Sequence, residues 1–400
     1  MRERLRARLP DLDGRKLFFM ATHAHSTPPF DENQYAAVPG KGMLRPSEYL
    51  DFLLPKLPEV VETAWTARRP GGFTWGLGHA VVGQNRRVVY PDGRAVMGGW
   101  TKNPDFDRVE GPDDHGVELL FCWSPEHRLT GVLINVACPS QVDSQALFIS
   151  SDFWDGVRRE LRRHPDFAEA AILPQLGAAG DQWPTRHYVR EKAEVIMQQR
   201  RGLTRTQEKG RRIANAVLDV YPYVKDGIVF DPIFRHRVEP VRLPYRIITA
   251  QEAADMRQQL DRFKTDVDNP LRPVRSRYFG VLLDRFAAQQ QGVPQTGIEV
   301  HAIRLGDIAI VTNPFELFWD YGLQIKSRSP AVLTLTSQLS AEVAHAEAYL
   351  ATQRAVAAGG YSAEALWYNH VGPEGGRMLV DRTVELLQEL WKSEPVGGTR

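Results

Sequence analysis

The chain is predicted to be an α/β protein of mixed α+β type, a single large domain over residues 1–400 with partly antiparallel sheets packed against helices. Three observations predict this. Apolar runs of strand length cluster in the first third and again over residues 297–336. Amphipathic stretches of helical period fill the middle and the C-terminus. No internal repeat, low-complexity linker or shift in composition divides the 400 residues.

From the N-terminus, Arg2 to Leu9 reads as a short helix stopped by Pro10, followed by an apolar strand from Lys16 to Ala21 that runs into a polar loop. The helical pattern from Pro46 to Arg68 is interrupted by Pro55 and Pro58, which predicts two short helices or one kinked helix. Phe73 to Val82, Arg87 to Tyr90 and Arg94 to Met97 have strand character, the last two joined by the turn Pro91-Asp92-Gly93. Val117 to Trp123 and Leu129 to Cys138 form a second antiparallel pair, the later strand apolar enough to be buried on both faces. Helices are expected at about 152–163 and 187–200. Another starts at the capping box Thr204-x-x-Gln207, with Ile213, Val217 and Val220 on one face. Further helices at about 251–268 and 276–290 precede a hairpin, Gly297–Arg304 and Asp307–Thr312, turning at Leu305-Gly306. A helix near 315–327, a strand over 331–336, a Gly-rich loop over 358–376 and a helix with the stripe Val380, Val384, Leu387 and Trp391 complete the chain.

Composition narrows the function. Fifty Lys and Arg against 49 Asp and Glu leave a net charge of +1, so no global field recruits nucleic acid or an anionic membrane. With 42% hydrophobic and 25% charged residues and a mean hydropathy of −0.36, the composition is that of a soluble globular protein. No apolar run approaches the roughly 18 residues of a membrane-spanning helix. The start of the chain has no apolar signal core, which points to the cytoplasm, or to secretion or the periplasm if a leader precedes it. Two cysteines, Cys122 and Cys138, make no disulfide framework; packing, metal ligation and nucleophilic chemistry stay open for them. Gly359-Gly360 and the Gly372–Gly376 run lack the spacing and the lysine of a phosphate-binding loop.

Met20-Ala21-Thr22-His23-Ala24-His25-Ser26 places two histidines at i and i+2 where a strand ends. In extended backbone this spacing turns both rings to one face. The apolar strand ending at Cys138-Pro139-Ser140, the hairpin ending at Pro314-Phe315-Glu316, and Tyr349 and Tyr361 around Gly359-Gly360 are further strand ends and loops of the kind on which sites are built.

The order of these segments resembles the neutral/alkaline ceramidases, a family of zinc-dependent amidases. Thr22-His23-Ala24-His25-Ser26 is similar to their Thr-His-x-His-Ser signature, and Gly131 to Ser140 resembles their strand ending in His-Pro-Thr. Gly180-Asp181-Gln182-Trp183-Pro184 resembles their Gly-Asp-x-Ser-Pro loop, and Gly306 to Glu316 their Gly-Asp-x-Ala-Ile-Val strand with its metal-binding glutamate. Tyr349 and Tyr361 reproduce their paired tyrosines. The correspondence is collinear from about Leu17 to Tyr361, and the likeness is to small bacterial members.

The resemblance implies one zinc ion, or another divalent metal, held by His23, Cys138, Glu316 and Tyr349. It implies that His25 lies beside the activated water, and that Arg86 and Tyr361 hold the substrate carbonyl. Gly180, Asp181 and Trp183 would border the substrate, and His79, near a Gly-rich turn, is a further candidate for the pocket wall. The expected reaction is hydrolysis of a small-molecule or lipid amide such as ceramide, with neither a nucleic acid partner nor an integral membrane segment; the oligomeric state is not readable. Cys138 departs from the family's histidine. A thiolate ligates zinc but adds negative charge that weakens Lewis acidity, or favours a softer metal. Trp183 replaces the usual serine. The family's opening strands and its immunoglobulin-like C-terminal domain are not found, which suggests a start missing from the sequence. Three other readings compete: a binding protein that has lost the reaction, a (β/α)₈ metal hydrolase opened by His-x-His, and nucleophilic chemistry by Cys138 with His25.

Overall fold

Four layers stack in the order helices, sheet, sheet, helices, in a computed structural model that describes residues 2–28, 30, 42, 44–184, 190–266, 269, 272–341 and 348–392. The first sheet contains β1 (Gly72–His79), β2 (Gly116–Trp123), β3 (Leu129–Val136) and β4 (Ala171–Leu176), in that spatial order. Its pairs are antiparallel except β3 with β4, which is parallel. The second sheet contains β5 (Phe234–Pro244), β6 (Gln295–Leu305), β7 (Ile308–Thr312) and β8 (Leu333–Ser337), again in order, with only β7 and β8 parallel.

Side-chain alternation explains the stacking. Val117, Leu119, Phe121 and Trp123 of β2, with Val132, Ile134 and Val136 of β3, pack beneath helices α1 (Phe153–Leu161) and α2 (Arg205–Val224). From the opposite face Phe73, Leu120 and Leu133 meet Ile308, Ile310, Leu333 and Leu335 of the second sheet. The outer face of that sheet, with Val241, Leu243, Val300, Ala302, Ala309 and Val311, is covered by α3 (Trp319–Arg328) and α4 (Pro373–Lys392). Strand β3 is therefore covered on both faces, as its continuous apolar sequence requires. Full burial of a side chain such as Leu119 or Ile134 contributes roughly 1.5–3 kcal/mol.

The architecture is an α/β fold, and two mostly antiparallel sheets exclude the (β/α)₈ reading. The proline-interrupted segment is two helices, Pro46–Leu53 and Lys56–Thr66, and the capping box of Thr204 and Gln207 opens α2. Of the helix expected over 187–200, Glu191–Arg200 is present and 187–189 lie outside the described residues.

Two expectations need correction, and two strands went unforeseen. The strand from Lys16 shortens to Phe19–Met20, paired with Ser340–Ala341, because residues 14–16 form a 3₁₀ turn capped by Asp13. The helix expected from 315 begins only at Trp319, since Glu316–Leu317 forms a parallel ladder with Tyr349–Leu350. Strands β4 and β5 were not legible in the sequence. Both are edge strands containing proline, and β5 alternates in charge, whereas a central strand tolerates neither.

Candidate active site

The segment preceding His23 is held between the two sheets: Ala21 donates its N–H to the Leu339 carbonyl, and the Ser140 N–H donates to the Thr22 carbonyl. His23 itself lies at φ +58°, in the left-handed region, so the His-x-His segment is not extended as its spacing suggests. Such a backbone costs roughly 1–3 kcal/mol and is sustained by the surrounding contacts. The two rings still approach, with centroids 5.1 Å apart.

Register does the next step. In the short parallel ladder Glu316 sits beside Tyr349. His23 Nδ1 lies 3.7 Å from Glu316 Oε2. Arg86 reaches the same point, its Nη2 donating to the Tyr349 hydroxyl (3.1 Å) and to the Gly180 carbonyl (3.4 Å), while its Nε is buried with no hydrogen-bond partner among the described residues. The guanidinium carbon lies 6.0 Å from the ring centre of Trp183 and 5.9 Å from that of Tyr349.

Burial sets the protonation states. It lowers His23 to about 3, helped by His25 and Arg86, so the ring is neutral with a free lone pair. Burial raises Glu316 to about 7, opposed by Arg86 and by Tyr349. Burial and the adjacent Glu316 hold the Tyr349 phenol well above its ordinary value, so it stands protonated in the cluster. Two ligands about 2.1 Å from one tetrahedral ion lie about 3.4 Å apart. His23 Nδ1 and Glu316 Oε2, a neutral imidazole and a carboxyl 3.7 Å apart, match that spacing as one pair of donors.

Two solved structures share this architecture. One is described as a ceramidase complexed with C2, matched at a TM-score of 0.64 with 15% identity over 100% of this chain and 66% of that one. The other is the neutral ceramidase from Pseudomonas aeruginosa, at 0.65 and 16%, over 100% of this chain and 64% of that one. The chain has a neutral-ceramidase-like fold. It spans just under two thirds of the length of both structures, and at this identity the likeness carries the fold and not the side chains. No family model matches the sequence, and a search of curated proteins finds no match.

Within this ceramidase-like fold the other candidate residues separate. Cys138 stands outside the cluster: its thiol packs in the core between β3 and the covering helices and faces the Pro139 carbonyl at 3.6 Å. Burial pushes it up to about 12 despite the nearby Lys209 ammonium, which disfavours the thiolate that a nucleophile needs. Among the described residues no three of His, Cys, Asp and Glu gather in a geometry that holds an ion, so the expected four-donor set with Cys138 is not assembled. His25 accepts at Nε2 from the amide of Gln141 (3.0 Å), which leaves its proton on Nδ1. Tyr361 is half exposed, its ring edge-on to Tyr349 at 5.5 Å and its hydroxyl 3.2 Å from that of Tyr368.

The Gly180–Trp183 loop packs against the strand that carries Glu316. A Cβ at Gly180 would stand 2.2 Å from the Glu316 carbonyl oxygen, so only glycine lets the loop lie against that strand. Asp181 is fully buried; its Oδ1 accepts from the first N–H of α3 (2.9 Å) and its Oδ2 from the Asn85 amide (2.8 Å). Trp183 flanks Arg86. His79 ends β1 on the exposed side and borders a depression lined by Val81, Arg212, Asn215 and Asp219, away from the cluster.

Sequence reasoning overlooked Arg87. Fully buried, it pairs with Glu110 (2.6 Å) and donates to the carbonyls of Gly359 (2.8 Å), Tyr361 (3.1 Å) and Ala355 (3.2 Å). It thereby anchors the turn that carries Tyr361, and the Arg86-Arg87 doublet was its only signal.

Proposed function

We propose that the chain is a hydrolase that cleaves the amide bond of an N-acyl substrate of ceramide-like type, and that a divalent metal, zinc first, takes part. The observation that carries this reading is the meeting of His23, Glu316, Tyr349 and Arg86, drawn from four distant segments, at one point of a ceramidase-like fold. His23, Glu316 and Tyr349 would hold the ion, three protein ligands being the usual number at a catalytic zinc. Such an ion supplies Lewis acidity and lowers the pKa of bound water towards about 7.

The remaining steps belong to the protein. Arg86 has a buried Nε to spare and would donate to the carbonyl oxygen of the scissile amide, with the Tyr361 hydroxyl donating from the open side. His25, neutral with its proton on Nδ1, would first take up at Nε2, in exchange for the Gln141 amide, the proton released by the attacking water, and the imidazolium so formed would give a proton to the leaving amine. Trp183 and Tyr349 set their rings beside the guanidinium.

Metal content and hydrolysis of a short-chain N-acyl amine test this together. The parent is expected to bind one ion and turn over; His23→Ala and Glu316→Gln should lose the ion and at least about 100-fold in kcat/KM. Arg86→Ala should keep the ion and lose about 100- to 1000-fold. Cys138→Ala should keep both ion and activity. Full activity in Glu316→Gln would sink the proposal. The displacement of Cys138 into the core favours one second reading, a binding protein without turnover, for which ligand affinity would survive while no variant or parent releases amine.

A further inference from the structure

One loop is fastened to the site at both ends and carries an uncharged apolar tip. At its start the Gln141 amide donates to His25; at its end the Ser150 N–H donates to the Ser26 carbonyl (2.9 Å) and the Ser26 hydroxyl returns a bond to the Ser150 carbonyl (3.3 Å). Between these anchors Leu147, Phe148 and Ile149 stand in solvent at 103%, 61% and 75% exposure. They join none of the hydrophobic clusters among the described residues. Three consecutive large apolar side chains left in water are a liability that a folded protein retains for a purpose.

The chemistry of the tip indicates its occupant. Residues 144–151, Ser-Gln-Ala-Leu-Phe-Ile-Ser-Ser, include no charge, so neither an acidic nor a basic partner finds a complement there. Three protruding side chains offer about 500 Å² of apolar surface, short of the roughly 800 Å² per partner of a stable protein interface. Fluid lipid, by contrast, closes around a narrow convex tip. Four residues beyond Ser26, Phe30 begins a row of rings with Tyr49 (5.7 Å) and Phe52 (6.4 Å further), and Lys56 Nζ lies 4.7 Å over Phe52. Phe30 and Phe52 are 57% and 61% exposed, and a lysine that can extend past them suits a headgroup boundary.

We propose that Leu147-Phe148-Ile149 is an interfacial anchor that inserts into an uncharged lipid surface and brings the His25 segment down to amphiphilic substrate lying in it. This rests on the reading of the site as a lipid amidase. Because the tip carries no charge, association should be insensitive to salt.

Co-flotation of the full chain with phosphatidylcholine vesicles tests it, beside hydrolysis of a water-soluble short-chain N-acyl amine and of a long-chain one embedded in the vesicles. The parent should float, and the triple variant Leu147→Ser, Phe148→Ser, Ile149→Ser should partition at least about 100-fold less. Leu147→Ser alone should fall between. The triple variant should hydrolyse the soluble amide as the parent does and lose turnover of the embedded one. A parent that stays in solution, or a triple variant that floats equally, overturns the anchor. So does a parent that sediments as a dimer while the triple variant sediments as a monomer, since a second copy would then cover the tip. A parent that floats but cleaves neither amide overturns the amidase reading and leaves the anchor standing.

Discussion

Neighbouring arginines take opposite fates where Arg86 links the short strands Gln84–Asn85 and Arg87–Val89, because successive side chains along a strand-like run point to opposite faces. Arg86 turns to the half-open cluster of His23, Glu316 and Tyr349; Arg87 turns inward to Glu110 and the 355–362 turn. Arg87→Met leaves the Glu110 carboxylate buried without its partner, and an unfolding midpoint in urea should report a loss of about 3–5 kcal/mol. Arg87→Lys keeps the charge without the planar fork that reaches three carbonyls, so it should recover only part of that stability. Equal midpoints for the parent and Arg87→Met would show that the pair contributes nothing. The turn depends on a second residue of fixed kind: Gly360 has φ +81°, and a Cβ there would sit 2.3 Å from the Ala95 carbonyl oxygen.

At the scale of elements, close contact between α1 and α2 decides how the first sheet is covered. A Cβ on Gly210 would stand 2.7 Å from backbone atoms of Gly156 and Val157, and one on Gly78 of β1 would stand 2.7 Å from the Ala216 carbonyl oxygen. Backbone cannot swing aside as a side chain can. Gly210→Ala should therefore lower stability by about 1–3 kcal/mol. Gly280→Ala, in the helix Arg272–Ala288 with open space around the new methyl, should raise it by about 0.5–1 kcal/mol. Thermal melts of the two variants should move in opposite directions; a shift of the same sign would refute the packing argument.

For the molecule as a whole, acid stability is tied to histidines buried in the neutral form. His236 on β5, 2.8 Å from His301 on β6, is lowered to about 4 by burial first and then by the charge of its neighbour. An unfolded chain takes up that proton near 6.5, while the folded one does not until about 4. Between these values the unfolded state binds more protons, so this contribution is full above pH 6.5 and declines as pH falls towards 4. Asp181 and Glu316, raised to about 6 and about 7, act in the opposite sense, so the whole-chain profile is a sum and the variant comparison isolates one group. The stability of the parent relative to His236→Leu should shrink as pH is lowered from 6.5 to 4, as followed by urea midpoints. Parallel profiles would contradict it.

Local signals in the sequence determined most of the elements: the capping box at Thr204, the proline break between 53 and 56, the hairpin at Leu305-Gly306 and the apolar run of β3 each act over a few residues and carry their own periodicity or turn chemistry. The His-x-His segment, Glu316 and the tyrosines could be singled out for the same reason. Tertiary structure alone decided that the sheets face each other, that Glu316 pairs in register with Tyr349, that His23 adopts a left-handed backbone, and that Cys138 points into the core and not into the cluster. Those outcomes depend on which layers bury which faces and on contacts between residues hundreds of positions apart. Hydrophobic pattern along one strand cannot say which of two apolar surroundings a small side chain such as cysteine will occupy.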